Sequence, residues 1–230
     1  VLQPLARLPW SRYPLGRRAY DLMEALGRFH SLPAEAVVVG NGSSDLLRIV
    51  ISAALAPGDH MVTIAPTFQA YRRHAQLLGA TAHEVALDPN RDFALPVAAI
   101  IAKAAEQRAK LVVVCAPNNP TGTVFSPEDL GRIAAGCDAL VMIDEAYAEF
   151  CRQDLHPLLA AHDNVVSVHT FSKAFGLAGA RIGYALAAPA VAAELQKHVT
   201  VFTLSPFSEA AAIVALEHFD RFEQSIDRLI

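Results

Sequence analysis

The sequence predicts an α/β fold, a mostly parallel sheet with helices on both faces. Two observations along its 230 residues predict it, and a third locates the chemistry. Short apolar runs alternate with longer stretches of helical periodicity, the pattern of successive βα units. Several runs, such as residues 111–115 and 140–143, are apolar at every position, as strands covered on both faces must be. Polar and glycine residues then gather just after the strands, on the edge where ligands bind in such sheets.

The elements follow in order. Residues 36–39 read as a strand. Residues 43–55 read as a helix, with Leu46, Leu47, Val50, Ala54 and Leu55 at helical spacing. Pro57-Gly58-Asp59 is a turn. Strand 60–64, helix 67–78 closed by Gly79, and strand 82–87 come next, then helix 96–108 and the buried strand 111–115. Ser126-Pro127-Glu128-Asp129 opens a helix, with a capping hydroxyl followed by proline at the first helical position. Strands 140–143, 165–169 and 182–186 precede helices over 189–198 and 208–219, and residues 219–230 form an amphipathic run. One core over residues 1–210 is expected, with residues 211–230 a helix leading toward a further domain.

Hydrophobic residues make up 53% and charged residues 18%, with a net charge of −4. This excludes disorder, a collagen-like fibre and a strongly basic nucleic-acid binder. No apolar run reaches membrane-spanning length, so neither nucleic acid nor a membrane is an expected partner. The apolar excess suggests that a partner covers part of the surface. Cys115, Cys137 and Cys151 are odd in number and lack metal-ligand spacing, so no metal site is expected and a reduced, cytoplasmic setting is.

Chemistry is read strand by strand. Gly40-Asn41-Gly42-Ser43-Ser44 runs into a helix start, where free amides and the helix dipole favour a phosphate and the hydroxyls of Ser43 and Ser44 add donors; alone it could be an ordinary capped turn. Asp144 ends an apolar strand, a costly place for a carboxylate without a partner; alone it could be a hydrated strand-end aspartate. Lys173 follows another strand and precedes Ala174-Phe175-Gly176-Leu177; a lysine there can form a Schiff base or simply sit at a surface turn. Asn118-Asn119-Pro120-Thr121-Gly122 forms a turn on either reading, and Arg181 lies eight positions after Lys173. Together, a phosphate cradle, a lysine and an acid at successive strand ends are what pyridoxal phosphate requires.

The segments Ala116-Pro117-Asn118-Asn119-Pro120-Thr121-Gly122, Asp144-Glu145-Ala146-Tyr147 and Ser172-Lys173-Ala174-Phe175-Gly176-Leu177-Ala178-Gly179-Ala180-Arg181 resemble pyridoxal-phosphate aminotransferases of fold type I. Among these the chain is most similar to histidinol-phosphate aminotransferases. Arg12-Tyr13-Pro14, Gly40-Asn41-Gly42-Ser43 and Pro66-Thr67-Phe68 match further segments in the expected order. The resemblance implies that Lys173 attaches the cofactor covalently and shuttles the substrate proton. It implies that Asp144 pairs with the ring nitrogen, while Tyr147 and Asn119 contact the ring's phenolic oxygen. Ser43, Ser44, Thr170, Ser172 and Arg181 would hold the phosphate, and Phe68 would stack on the ring. Tyr13 would reach the neighbouring subunit's phosphate across a homodimer interface.

The same resemblance makes residues 1–210 the cofactor-binding large domain, lacking part of its N-terminal arm, and leaves the small C-terminal domain missing. The implied reaction moves an amino group between an amino acid, or a histidinol-phosphate-like amino-alcohol phosphate, and a 2-oxo acid. Two alternatives stay open: a decarboxylase or lyase of the same fold, resembling threonine-phosphate decarboxylase, and a chain that binds cofactor without turnover. Lys197-His198-Val199-Thr200-Val201-Phe202-Thr203 stands where relatives acting on phosphorylated substrates often carry an arginine.

Overall fold

A computed structural model describes Ser11, Tyr13 and residues 19–230 of the chain. Arg12 and Pro14 lie outside the described residues, so the first motif is represented by Tyr13 alone. Seven strands form one sheet: β1 (Val37–Gly40), β2 (His60–Ala65), β3 (Thr81–Ala86), β4 (Leu111–Cys115), β5 (Leu140–Asp144), β6 (Val165–Thr170) and β7 (Gly183–Ala187). The order across it is β1-β7-β6-β5-β4-β2-β3. All pairings are parallel except those of β7, which runs antiparallel to both β1 and β6.

The helices are α1 (Tyr20–His30), α2 (Ser43–Ala54), α3 (Ala70–Leu77), α4 (Val97–Gln107), α5 (Pro127–Gly136), α6 (Ala148–Cys151), α7 (His156–Ala161), α8 (Pro189–Gln196), α9 (Pro206–Glu217) and α10 (Phe219–Ile226). Strand side chains alternate between two cores, as the pleat requires. Val38, Met61, Val113, Met142 and Val168 pack with Leu46 and Ile49 of α2, Tyr71 of α3 and Leu195 of α8. Val39, Val62, Val114, Ile143 and Leu186 pack on the other face with Leu26 of α1, Ile100 of α4, Ile133 of α5 and Ala212 of α9. Strands β4 and β6 are buried at every position, which explains the unbroken apolar sequence of β4, while β6 buries the polar side chains of Ser167, His169 and Thr170 among its valines.

Three expectations shift. The helix expected over 67–78 begins at Ala70, because the side chains of Thr67 and Asn118 tie the preceding loop to the loop after β4: Thr67 Oγ1 donates to Asn118 Oδ1 at 2.8 Å, and Asn118 Nδ2 donates to the Pro66 carbonyl at 3.0 Å. The helix expected over 208–219 begins at Pro206, where the Ser205 hydroxyl accepts the Ser208 amide at 3.0 Å. It ends before His218, and the amphipathic run continues as the separate α10. Helices α1, α6 and α7 were not anticipated; α6 and α7 span only four and six residues, too few for periodicity to register.

The topology brings separate chain segments to one edge. Strands β4, β5 and β6 run parallel, so their carboxyl ends are neighbours, with Cys115 opposite Asp144. Because β7 runs the other way, its start joins that edge, and Thr170 pairs with Gly183. Strand β1 runs against β7, so its end returns there as well, with Gly40 opposite Gly183. The amino end of α2 therefore rests directly on β7: a Cβ on Gly183 would lie 2.5 Å from the Ser43 backbone nitrogen.

Candidate active site

A cavity of about 250 Å³ opens on this edge. Ser43 and Ser44 line it from the start of α2, and Phe68 from the loop before α3. Asn119 enters after β4, Asp144 and Tyr147 at the end of β5, Thr170 at the end of β6, and Ser172, Lys173 and Arg181 from the loop between β6 and β7. All the residues singled out from sequence thus share one cavity except Tyr13. Tyr13 is 77% exposed and stacks on Phe202, ring centroids 4.9 Å apart.

Two parts of the cavity are built differently. At one end, cationic and neutral donors converge. The first amides of α2 have no partner within the helix. The Arg181 guanidinium donates to the Ala178 carbonyl at 3.0 Å and to Ser172 Oγ at 3.4 Å. Thr170 Oγ1 accepts the Ser172 amide at 3.1 Å, which turns the loop so that both hydroxyls share this end. Gly42 has φ of +81 and leaves its side-chain space to Arg181. Helix dipole, hydroxyls and guanidinium converge at this end, an arrangement whose chemistry suits an anion.

The other part is acidic and buried. Asp144 is 4% exposed, and burial pushes its carboxyl above the usual range. Tyr71 Oη donates to Asp144 Oδ2 at 2.6 Å, and the Ala146 amide donates to Oδ1 at 3.2 Å. These bonds, with the Lys173 charge, pull the carboxyl back toward ionisation. Lys173 Nζ lies 5.5 Å from the centre of the Tyr147 ring, which puts the amine over the same cavity. Cys115 also lines the cavity, but burial pushes its thiol up to about 12, leaving it protonated and inert.

Sequence reasoning missed Tyr71 and Cys115. Tyr71 reads as one more apolar position of α3, and no local signal reveals that its hydroxyl meets Asp144, 73 residues away. A second polar group went unread. On the opposite face of the sheet Ser167 Oγ donates to Glu145 Oε1 and lies 2.6 Å from His169 Nε2. His169 stacks on Tyr184, whose hydroxyl is 2.8 Å from His30 Nε2, and His30 Nδ1 is 2.7 Å from His156 Nε2. Burial pushes Glu145 up to about 8 and His30 down to about 3, so both are largely uncharged near neutral pH.

The edge site and its sheet define a class of protein, an α/β fold with a ligand-sized, donor-rich cavity across the carboxyl ends of parallel strands. A family profile for aminotransferase class I and II matches residues 5–230, and the chain belongs to that family. It is 41% identical over 220 residues to the histidinol-phosphate aminotransferase of Chlorobium phaeovibrioides, covering 95% of this chain and 60% of that one. The enzyme of the same name from Thermococcus kodakarensis is 37% identical over 230 residues, covering 100% and 66%. Among solved structures, histidinol-phosphate aminotransferase from Sinorhizobium meliloti in complex with pyridoxal-5'-phosphate superposes with a TM-score of 0.90 at 29% identity, covering 98% of this chain and 61% of that one. The chain spans about 60% of the length of such relatives. No helix among the described residues is long and apolar enough to cross a membrane.

Proposed function

We propose that the chain carries the cofactor site of a pyridoxal-phosphate-dependent aminotransferase. One observation carries this reading: an anion cradle, a buried carboxylate and a lysine line a single cavity. The donor set suits the cofactor. Ser43, Ser44, Thr170, Ser172 and Arg181 would hold its phosphate, Asp144 its protonated ring nitrogen, Asn119 and Tyr147 its phenolic oxygen, and Phe68 a ring face. Lys173 would anchor it covalently. When bound, pyridoxal phosphate supplies an electron sink that stabilises charge on the reacting carbon.

The chain's own residues do the remaining work. Lys173 Nζ takes the α-proton of the amino substrate and returns it, a role worth roughly 10²–10⁴-fold in rate for a well-placed base. Asp144 keeps a negative charge against the ring nitrogen. The cradle fixes the cofactor at its far end, so the reacting centre stays within reach of Lys173.

The names of the relatives support an amino-alcohol phosphate of the histidinol-phosphate type as one substrate, and the reading pairs it with a 2-oxo acid as the other. We further read residues 1–210 as the large domain and residues 211–230 as a helix toward a second one. Tyr13, exposed and outside the cavity, is read as reaching a second subunit's phosphate site in a homodimer. A cytoplasmic setting fits the three unpaired cysteines.

An absorbance spectrum of the purified chain with pyridoxal phosphate tests the reading, repeated after histidinol phosphate and after other amines. A protein-bound band that shifts with the amine supports it. Absence of any band would sink it.

A further inference from the structure

We propose that Tyr71 is a positioning residue of this site, holding the Asp144 carboxylate in a fixed orientation toward the cofactor cavity; the inference rests on the role given to Asp144 above. Tyr71 is 0% exposed and sits in the first turn of α3. Its ring packs among apolar side chains of the α2–α3 face of the sheet, an environment a phenylalanine would fill equally well. Its hydroxyl is nevertheless spent on Asp144 Oδ2 at 2.6 Å, the length of a bond from a hydroxyl to an ionised oxygen rather than to a neutral one.

The Ala146 amide holds Oδ1 of the same carboxylate. Donors on both oxygens remove the free rotation of the group about its Cβ–Cγ bond. Only the lone pairs those donors leave can then meet a ring nitrogen, and they meet it in one plane. Positioning of this kind is what an electrostatic partner needs, since its effect falls steeply with misorientation. Three residues before Tyr71, Phe68 lines the cavity, and the two rings meet edge to face with centroids 5.7 Å apart. The start of α3 therefore ties the aromatic wall of the cavity to the orientation of the acid.

The test is a double-mutant cycle on pyridoxal phosphate affinity, measured by fluorescence titration of wild type, Tyr71→Phe, Asp144→Asn and the double variant. Alongside it, the Asp144 carboxyl is titrated by carbon-detected NMR in the cofactor-free protein. Tyr71→Phe is expected to weaken affinity roughly tenfold, the usual worth of a hydrogen bond to a charged group, and less than twofold on the Asp144→Asn background. Asp144 is expected to titrate at higher pH in Tyr71→Phe. Equal losses on both backgrounds, or an unmoved Asp144 titration, would overturn the positioning role alone. Unchanged affinity in Asp144→Asn would instead overturn the cofactor role of Asp144, and this proposal with it. Should Tyr71→Phe fail to fold, wild type grown with 3-fluorotyrosine replaces it. That phenol is the stronger donor, so Asp144 must titrate at lower pH; no movement overturns the proposal.

Discussion

The Arg181 guanidinium occupies the space that a side chain on Gly42 would need: a Cβ there would stand 2.2 Å from Arg181 Nη2 and 2.9 Å from Cζ. Gly42 also has φ of 81 and ψ of 163, a backbone region that glycine alone populates freely. Gly42→Ala therefore meets two penalties. Strain of about 1–3 kcal/mol is expected to lower the melting temperature by several degrees. Displacement of Arg181 is expected to weaken pyridoxal phosphate affinity at least about tenfold, since it removes a charge-assisted contact. A melting curve and a cofactor titration read the two effects separately, and a variant that binds cofactor like wild type would count against the cradle.

Lys173→Ala is expected to abolish covalent attachment of the cofactor while leaving the fold intact, because Lys173 is exposed and packs into neither core. The check is borohydride reduction followed by intact mass measurement. Wild type should gain the mass of one reduced cofactor and the variant none. A reduced adduct on the variant would reassign the attachment to another lysine.

Asp144→Asn is expected to bind cofactor more weakly, though still through the cradle, and to slow α-proton removal by roughly 10²-fold or more, because the ring nitrogen loses its anionic partner. Exchange of the substrate α-hydrogen with deuterated solvent measures this step without a second substrate. An exchange rate equal to that of wild type would remove Asp144 from the mechanism.

The network behind Asp144 makes a prediction about stability against pH. Glu145 has its carboxyl raised to about 8 by burial, from 4.5 for an ordinary glutamate. Its folded form holds the proton more tightly than its unfolded form. Its contribution is therefore complete below pH 4.5 and is lost as pH rises toward about 8. His30 works in the opposite sense: with its folded value lowered from 6.5 to about 3, its contribution is present above 6.5 and lost as pH falls toward 3. Glu145→Gln keeps an oxygen to accept the Ser167 hydroxyl and removes the titration. The melting temperature of the variant should gain on wild type by several degrees between pH 5 and pH 8, whatever His30 does in both proteins. Parallel curves would mean that Glu145 is not titrating over that window.

Much of the fold was legible because the relevant signals are local. The apolar runs of β4 and β5, the serine–proline start of α5 and the turn at Pro57-Gly58-Asp59 each declare themselves within a few residues. The candidate site was legible in the same way, since Ser43, Asp144, Lys173 and Arg181 stand at or just beyond strand ends or before a strand start, and strand ends can be read from periodicity. The short helices α6 and α7 were not legible, nor was the late start of α3, which the Thr67–Asn118 bond determines across 51 residues.

By itself, then, the sequence determined the alternation of elements, the family and the residue types gathered along one sheet edge, because backbone propensity, periodicity and motif spacing are properties of neighbouring positions. Tertiary structure alone decided which of those residues meet. The reversal of β7 carries Arg181 onto Gly42, and the packing of α3 against α2 and β3 delivers the Tyr71 hydroxyl to Asp144. Burial likewise decided that Asp144 and Glu145, adjacent in sequence, face opposite sides of the sheet, one toward the cavity and the other into a histidine-rich network. Such differences arise from desolvation and from partners tens of residues away, and neither is written in the local order of amino acids.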